Sequence, residues 1–498
     1  MFSHDSLLII QSDQISEIAY GRPFQHLYLY LRGLVVAPWL VGVLGTLYLT
    51  LSNLIICKVL DIRSRGFVIA LCSIMATSPF VTLLNATYIT WYDVYMLALL
   101  LSCLAVLICK SRWYGWMIGV PLICFSMGLY PAYLQVAIVL IATMGLVELL
   151  RSKGEFHGLF YAKTIFMLIL GALLYLLAVK GVQDFMGIAG STGYNSPTSA
   201  FQFNESILRE LLTAWFSPLS YLLFPETHAV RASGLANLLL MLFLFVTIVR
   251  LCAKNRLRIG QIVLVTLIMI FMPLLANIIG FAAANNVHSL MIYSYYLFYA
   301  IVFASLEVKA LSVEEFAELR SGNGIGKKGC GFKKTIGGIT IILVLLMSMS
   351  NVIYANQVYL KKELEYQTTL SIMTDLEGRL ETIPGYIPGK TPVAFSGSLA
   401  YNPYYSGVRK GFPPGSDQAS FGAQERYTGY SIGLGADISI YNFTQMSRYY
   451  EYVLGRPIML ATVEGLSDSK KAPLESMPVY PVDGSIVVNE GVVLVKLS

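Results

Sequence analysis

Ten apolar stretches follow one another along the first three quarters of the chain, at 34–57, 66–84, 93–109, 114–129, 132–150, 163–181, 235–252, 260–280, 290–308 and 336–355. Each approaches the roughly 20 residues that a helix needs to cross a ~30 Å hydrocarbon layer. No water-soluble fold can hide that many consecutive apolar runs. The chain of 498 residues is 56% hydrophobic and only 13% charged, about half the charge of an ordinary soluble domain. The excess apolar surface must therefore face lipid. The expected fold class is a polytopic α-helical membrane protein.

The net charge of +6 forms no patch of the kind that binds nucleic acid, so no nucleic-acid partner is expected and the bilayer is. Lys and Arg sit between the apolar runs instead, and only in alternate loops. One set of loops carries Lys58, Arg63 and Arg65, then Lys110 and Arg112, then Arg151, Lys153 and Lys163, then Arg250, Lys254, Arg256 and Arg258, and last Lys327, Lys328, Lys333 and Lys334. The intervening segments Asn85–Tyr92, Tyr130–Pro131 and Phe281–Ser289 carry none. The positive-inside rule places the first set in the cytoplasm of a multi-pass cytoplasmic-membrane protein. Three regions are then expected: an extracytoplasmic N-terminal loop, 1–31; a bundle of about ten helices, 32–356, with an extracytoplasmic loop at 182–234; and an extracytoplasmic soluble domain, 357–498.

The last region differs in kind. It is polar and rich in turns such as Ile383–Lys390 and Gly411–Asp417. Lys361–Leu380 reads as a helix and Thr391–Gly397 as a strand. Ile486–Val488 and Val492–Leu497, split by Asn489-Glu490-Gly491, read as a hairpin. A small α/β domain is expected. Seven cysteines are present, without CxxC or Cys/His spacing, so neither a zinc site nor a disulfide framework is read. No cleavable signal peptide is read either, because Leu7–Ile10 is too short for an apolar core and no basic segment precedes it. An N-outside start without an upstream helix leads to the expectation that the reading frame begins at an internal methionine and lacks one N-terminal helix.

Acids, arginines and aromatics collect on the side away from the Lys-rich loops. Asp5, Asp13, Glu17 and Arg22 lie in the first segment, and Trp91, Tyr92 and Asp93 open the third span. Asp184, Glu205, Arg209, Glu210, Glu226, His228 and Arg231 lie in the long loop. A solvated loop with paired charges would look the same. A charge at the membrane interface costs far less than the roughly 3 kcal/mol of mid-bilayer, so Asp93 is tolerable there without any function. Gln135, behind the Tyr130-Pro-Ala-Tyr133 junction, could hydrogen-bond a sugar or simply satisfy a core amide. Arg231 could hold a lipid phosphate or snorkel to headgroups. The stripe Tyr293, Tyr295, Tyr296, Tyr299 reads as packing, and Gly322–Lys328 lacks the spacing of a phosphate-binding loop.

Several short motifs are familiar together. Ser3-His4-Asp5-Ser6, Gly21-Arg22 followed by the Arg32–Pro38 approach to the first span, Tyr92-Asp93-Val-Tyr-Met-Leu-Ala, Gly128-Leu-Tyr130-Pro-Ala-Tyr133 and Ile383-Pro-Gly-Tyr-Ile-Pro-Gly-Lys-Thr-Pro-Val resemble the Gtr-type glucosyltransferase family, over nearly the whole chain. These are bacterial and phage membrane enzymes of the GT-C type that decorate O-antigens and other surface glycans. The resemblance implies a glycosyltransferase that takes glucose from an undecaprenyl-phosphate hexose and passes it to a surface polysaccharide. It also implies working partners: an enzyme that makes the lipid-linked donor and a flippase that presents it. By resemblance, Asp5 is the base, Asp13 a second acid and Asp93 a further acidic position. Arg22 matches the family's Gly-Arg motif; independently of the resemblance, Arg231 joins it as a candidate for the donor phosphate and Gln135 joins His4, Tyr92 and Tyr130 as candidates for the sugars. A divalent cation, Mg or Mn, is a further expectation without assigned ligands. Pro131 departs from the family, where Gln is usual. A transporter or flippase of lipid-linked sugar is the alternative. It would call for matched broken helices and ionisable groups at mid-membrane, whereas these acids lie at the rim.

Overall fold

A backbone in lipid has to close its hydrogen bonds within each segment, and helices do so. The structure is a computed structural model that describes residues 15–34, 36–151, 157–191, 206–224, 232–283, 287, 289–310, 327–397, 402, 447 and 449–498. Among these residues, nine helical segments are long and apolar enough to cross a bilayer: Pro38–Val59, Arg65–Ala86, Ile89–Ser111, Pro131–Arg151, Gly158–Met186, Ser233–Lys254, Ile259–Ala276, Leu290–Val308 and Thr335–Leu360. Gly115–Leu129 is apolar but shorter. The chain is thus a polytopic α-helical membrane protein, and the expected apolar runs lie for most of their length in helix.

Two compact units are present. Among the described residues, one comprises 15–82 with Trp91–Tyr354, the other Leu83–Thr90 with the chain from Ala355 onward. In chain order the first contains α1 (Ser16–Ala19), α2 (Pro23–Leu31), α3 (Pro38–Val59) and α4 (Arg65–Ala76), followed by α5 (Pro79–Thr87), whose end belongs to the other unit. It continues with α6 (Tyr92–Ser111), α7 (Gly115–Leu129), α8 (Leu134–Arg151), α9 (Gly158–Met186), α10 (Ile207–Leu223), α11 (Ala232–Lys254), α12 (Ile259–Ala276), α13 (Ile278–Ala282) and α14 (Leu297–Ala310). Helix α15 (Lys327–Glu381) passes from one unit into the other. Pro38 and Pro23 sit in the first turns of their helices, where a missing N–H costs nothing.

Burial separates the helices. The spans Pro131–Arg151 and Leu290–Val308 are 78% and 94% buried inside the protein, whereas Gly158–Met186 and Ile259–Ala276 are each 22% buried. The former are central. The latter turn Leu173, Leu177, Val263 and Phe271 outward, the surface that lipid covers. Some polar groups between central helices are satisfied locally: Ser102 and Ser126 hydroxyls lie 2.8 Å apart, and Ser126 donates to the Ala98 carbonyl at 2.7 Å.

The two ends of the bundle differ in charge. At one end Asp61 accepts from Lys110 Nζ at 2.9 Å and Arg151 Nη1 at 3.1 Å, and Ser64 donates to Glu307 at 3.1 Å. The Lys/Arg-bearing turns therefore meet. At the other end lie α1, α2, the 130–133 junction and the start of α6. The expected 182–234 loop is partly helical. α9 runs on to Met186, so Asp184 lies in its last turn, and α10 is a full helix with apolar and polar faces. Trp215 Nε1 donates to Ile270 O at 2.6 Å, Asn277 to Ala214 O at 3.1 Å and Asn237 to Leu222 O at 2.8 Å. Asn277 follows the end of α12 and Asn237 lies near the start of α11, so α10 lies across their shared end instead of running between the two ends.

In the second unit, β1 (Pro392–Ser396) pairs in parallel with β2 (Met459–Ala461) and β4 (Val492–Lys496), and β3 (Ile486–Asn489) pairs antiparallel to β4. The order is β2-β1-β4-β3. Alternation along each strand sorts side chains to two faces. Val393, Phe395, Val493 and Val495 pack with Ile372, Met373, Leu376 and Leu380 of α15. Ala394, Val492 and Leu494 pack with Leu474 and Met477. Strand β2 is too short to show an alternation in the sequence, and was not expected there.

Candidate active site

The acid- and aromatic-rich end is built around two arginines. Gly21 adopts φ 79° between α1 and α2, a conformation that costs glycine nothing. The tight turn brings the Arg22 N–H to the Glu17 carbonyl at 3.0 Å, and Arg22 Nη1 donates to Glu17 Oε2 at 2.8 Å. The guanidinium also lies 4.9 Å from the centroid of the Tyr130 ring, within cation–π range. Burial works against the charge of Arg22, but Glu17 together with Tyr95 and Tyr130 more than offsets it, so the guanidinium stays charged. The Tyr130 ring in turn lies tilted against Tyr95 at 4.4 Å and edge-to-face with Tyr133 at 6.0 Å.

The segment is tied to the bundle by backbone carbonyls. Tyr175 donates to Gly21 O at 2.9 Å, Gln183 to Ile18 O at 2.9 Å and Gln25 to Leu129 O at 2.6 Å. Phe24 stacks on Phe125 at 4.4 Å. A β-carbon on Gly128 would lie 2.1 Å from the Phe24 ring, so α2 can approach α7 only because residue 128 has no side chain.

One turn further on, Asp93 is fully buried at the start of α6. Arg32 Nη1 lies 2.6 Å from one carboxylate oxygen and 2.7 Å from the other. Tyr28 donates to the second oxygen at 3.0 Å, and the Val94 N–H to the first at 2.9 Å. Burial and the facing carboxylate push the Tyr28 phenol far above its ordinary range, so it remains a donor. Tyr92 is buried beside this pair with its ring against α3, where a β-carbon on Gly45 would lie 2.4 Å away.

Of the expected site residues, the structure brings Arg22 and Tyr130 together, and Asp93 and Tyr92 lie at the same end. Gln135 is buried elsewhere in the core. It donates to Met291 O and accepts from the Ile279 N–H at 3.4 Å. His4, Asp5, Asp13 and Arg231 lie outside the described residues. Arg32, which the sequence reading carried only as the start of the approach to the first span, is the main charged partner of Asp93. One signal pointed to it: opposite charges on two segments that loop alternation places at one end. Among the described residues, no group of three His, Cys, Asp or Glu side chains could hold a metal ion.

A cavity of about 860 Å³ lies among α8, α10, α11, α12 and α14. Its lining is apolar for most of its length, with Leu219, Leu244, Phe245 and Met269, between Arg256 and Leu257 at the basic end and Trp215 and Tyr295 at the other.

Residues 1–306 match the family described as Glucosyl transferase GtrII. No curated protein and no solved structure matches the chain.

Proposed function

Because the chain belongs to the GtrII glucosyl transferase family, we propose that it moves glucose, or another hexose, from a polyprenyl-phosphate sugar to a cell-surface polysaccharide at the outer face of the cytoplasmic membrane, as an enzyme of the GT-C type. The observation that carries this reading is the family match itself, which takes in the whole arginine-centred end of the bundle. That end is opposite the Lys/Arg-bearing turns, so the positive-inside rule supports its facing outward. The same rule supports an extracytoplasmic C-terminal unit, where it would guide the acceptor polymer.

The chemistry fits a lipid-linked donor. Nucleotide sugars are absent outside the cell, and a polyprenyl phosphate can cross the membrane with its sugar. The 860 Å³ cavity, with its apolar lining, suits part of an isoprenoid chain. During transfer, the acceptor oxygen bonds to the sugar's anomeric carbon while the bond to the donor phosphate oxygen breaks. The hydroxyl proton goes to a carboxylate base, and the phosphate leaves with its added negative charge. That charge calls for a cation more than for an acid. In this reading Arg22, with Arg231, faces the phosphate, Asp5 takes the proton with Asp13 beside it, and His4, Tyr92 and Tyr130 line the path of the sugars, whereas Gln135, engaged with backbone in the core, does not. Asp93 acts through Arg32 and is a positioning residue, since its oxygens already accept from Arg32, Tyr28 and Val94.

The test is transfer in membranes holding the full chain, with labelled polyprenyl-phosphate glucose or labelled UDP-glucose as donor and surface glycan as acceptor. Label from the lipid donor should enter glycan and be lost with Asp5→Asn. Transfer from UDP-glucose in membranes depleted of polyprenyl phosphate would overturn the donor, and unimpaired Asp5→Asn the base.

A further inference from the structure

The basic end of the bundle contains a second cavity, of about 580 Å³, where α6 ends, α7 begins and α9 begins. Lys110, Arg112, Trp113, Trp116, His157 and Lys163 line it. Lys110 is committed to Asp61 and to the Val59 carbonyl at 2.8 Å, and His157 pairs with Glu148. Arg112 and Lys163 are different: among the described residues neither has a carboxylate within ion-pair distance. Lys110 and Arg151, by contrast, are balanced by Asp61. Two cations facing one cavity with no carboxylate paired to them among the described residues attract an anion.

The same wall offers hydrogen-bond donors. Gly158 and Leu159, which also line the cavity, supply the first amides of the 29-residue α9; its N-cap His157 caps neither of them with its side chain and gives its own N–H to Glu148 at 3.1 Å. Their N–H groups precede the first intrahelical bonds, at the positive end of the helix dipole. Trp113 is 81% exposed, yet it stands where helices enter the membrane. An indole in that position belongs at headgroup depth. The volume exceeds what a lone phosphate fills, and one side of the cavity is apolar, with Leu159 and Phe160.

We propose that this cavity binds the phosphate headgroup of an anionic phospholipid, with Arg112, Lys163 and the first amides of α9 on the phosphate and Trp113 and Trp116 against the glycerol and upper acyl chains. The site is separate from the transfer reaction and does not rest on it.

The test is native mass spectrometry of the full chain released from nanodiscs containing equal phosphatidylglycerol and phosphatidylcholine of the same acyl chains. Wild type should retain phosphatidylglycerol over phosphatidylcholine by roughly tenfold or more, the expectation for two surface cations. The double variant Arg112→Gln/Lys163→Gln should lose that preference while keeping its thermal unfolding temperature. Arg112→Lys/Lys163→Arg, which keeps both charges, should retain it, as should Arg63→Gln/Arg258→Gln at other turns of the same end. Three outcomes would overturn the proposal: no preference in wild type, a preference that survives Arg112→Gln/Lys163→Gln, or an equal loss in Arg63→Gln/Arg258→Gln. Displacement of the lipid by millimolar inorganic phosphate would likewise overturn it, by showing a site for free anions.

Discussion

Arg32 and Asp93, 61 residues apart in sequence, meet through a single guanidinium nitrogen that lies 2.6 Å from one carboxylate oxygen and 2.7 Å from the other. Their side chains are 5% and 0% exposed. Neither charge could be left alone at that depth, so the pair fixes how α2 seats on α6.

Removing one partner strands the other. Asp93→Asn and Arg32→Gln should each lower stability by about 3–5 kcal/mol, whereas a joint apolar replacement, Arg32→Met/Asp93→Leu, should cost much less. Thermal unfolding in detergent provides the comparison. Single variants as stable as wild type would show that the pair does not anchor α2.

Arg22 should matter to transfer more than to folding. A charge-assisted bond to a phosphate contributes about 1.5–3 kcal/mol, so Arg22→Gln should reduce kcat/KM for the lipid donor by roughly tenfold to a hundredfold. Arg22→Lys should recover part of it. Glu17→Gln, which leaves the guanidinium over Tyr130, should reduce it less. Steady-state kinetics with varied donor separates these, and equal rates in Arg22→Gln and wild type would remove Arg22 from the donor site.

The two glycines that admit aromatic rings differ from one in open space. Gly45→Ala must displace the Tyr92 ring and Gly128→Ala the Phe24 ring, so each should destabilise by about 1–3 kcal/mol despite alanine's better helix propensity. Gly42→Ala, with nothing within 4 Å of its new β-carbon, should be neutral or stabilising. The order of unfolding temperatures checks this, and Gly45→Ala matching Gly42→Ala would refute the close contact.

Acid should weaken the basic end. Burial alone would raise the Asp61 carboxyl, but Lys110 and Arg151 more than offset it and hold it below its usual range. A folded-state value below the unfolded ~3.9 means the pairing stabilises above that pH and is lost as pH falls through the folded value. Asp61→Asn should therefore cost roughly 1 kcal/mol near neutral pH. The gap from wild type should hold down to about pH 5 and close below about pH 4. A gap that widens in acid would reverse the sign.

Much of the helical frame was legible because apolar run length and Lys/Arg alternation are local signals. The C-terminal hairpin was legible for a similar reason: Asn489-Glu490-Gly491 splits two β-branched runs, and Glu490 and Gly491 both take positive φ. What escaped depends on distance. The Asp93–Arg32 pairing spans segments whose relative rotation no periodicity encodes. α10 was hidden in a polar-looking loop because its charges, Arg209 and Glu210, crowd its first turn while the rest is apolar and interrupted by Pro218. Gln135 read equally well as sugar ligand or core amide, and only its bonds to Met291 and Ile279 show it engaged with backbone.

Asp61 has a further consequence for how the chain is assembled. Lys110 and Arg151 serve first as retention signals, holding their turns on the side of synthesis as each span leaves the ribosome. Asp61, made before either, can accept from both only after the span ending at Arg151 is in place. The same cations are thus used twice, and the carboxylate acts as a latch that closes late, joining the first hairpin to the third and fifth spans once their orientation is already decided.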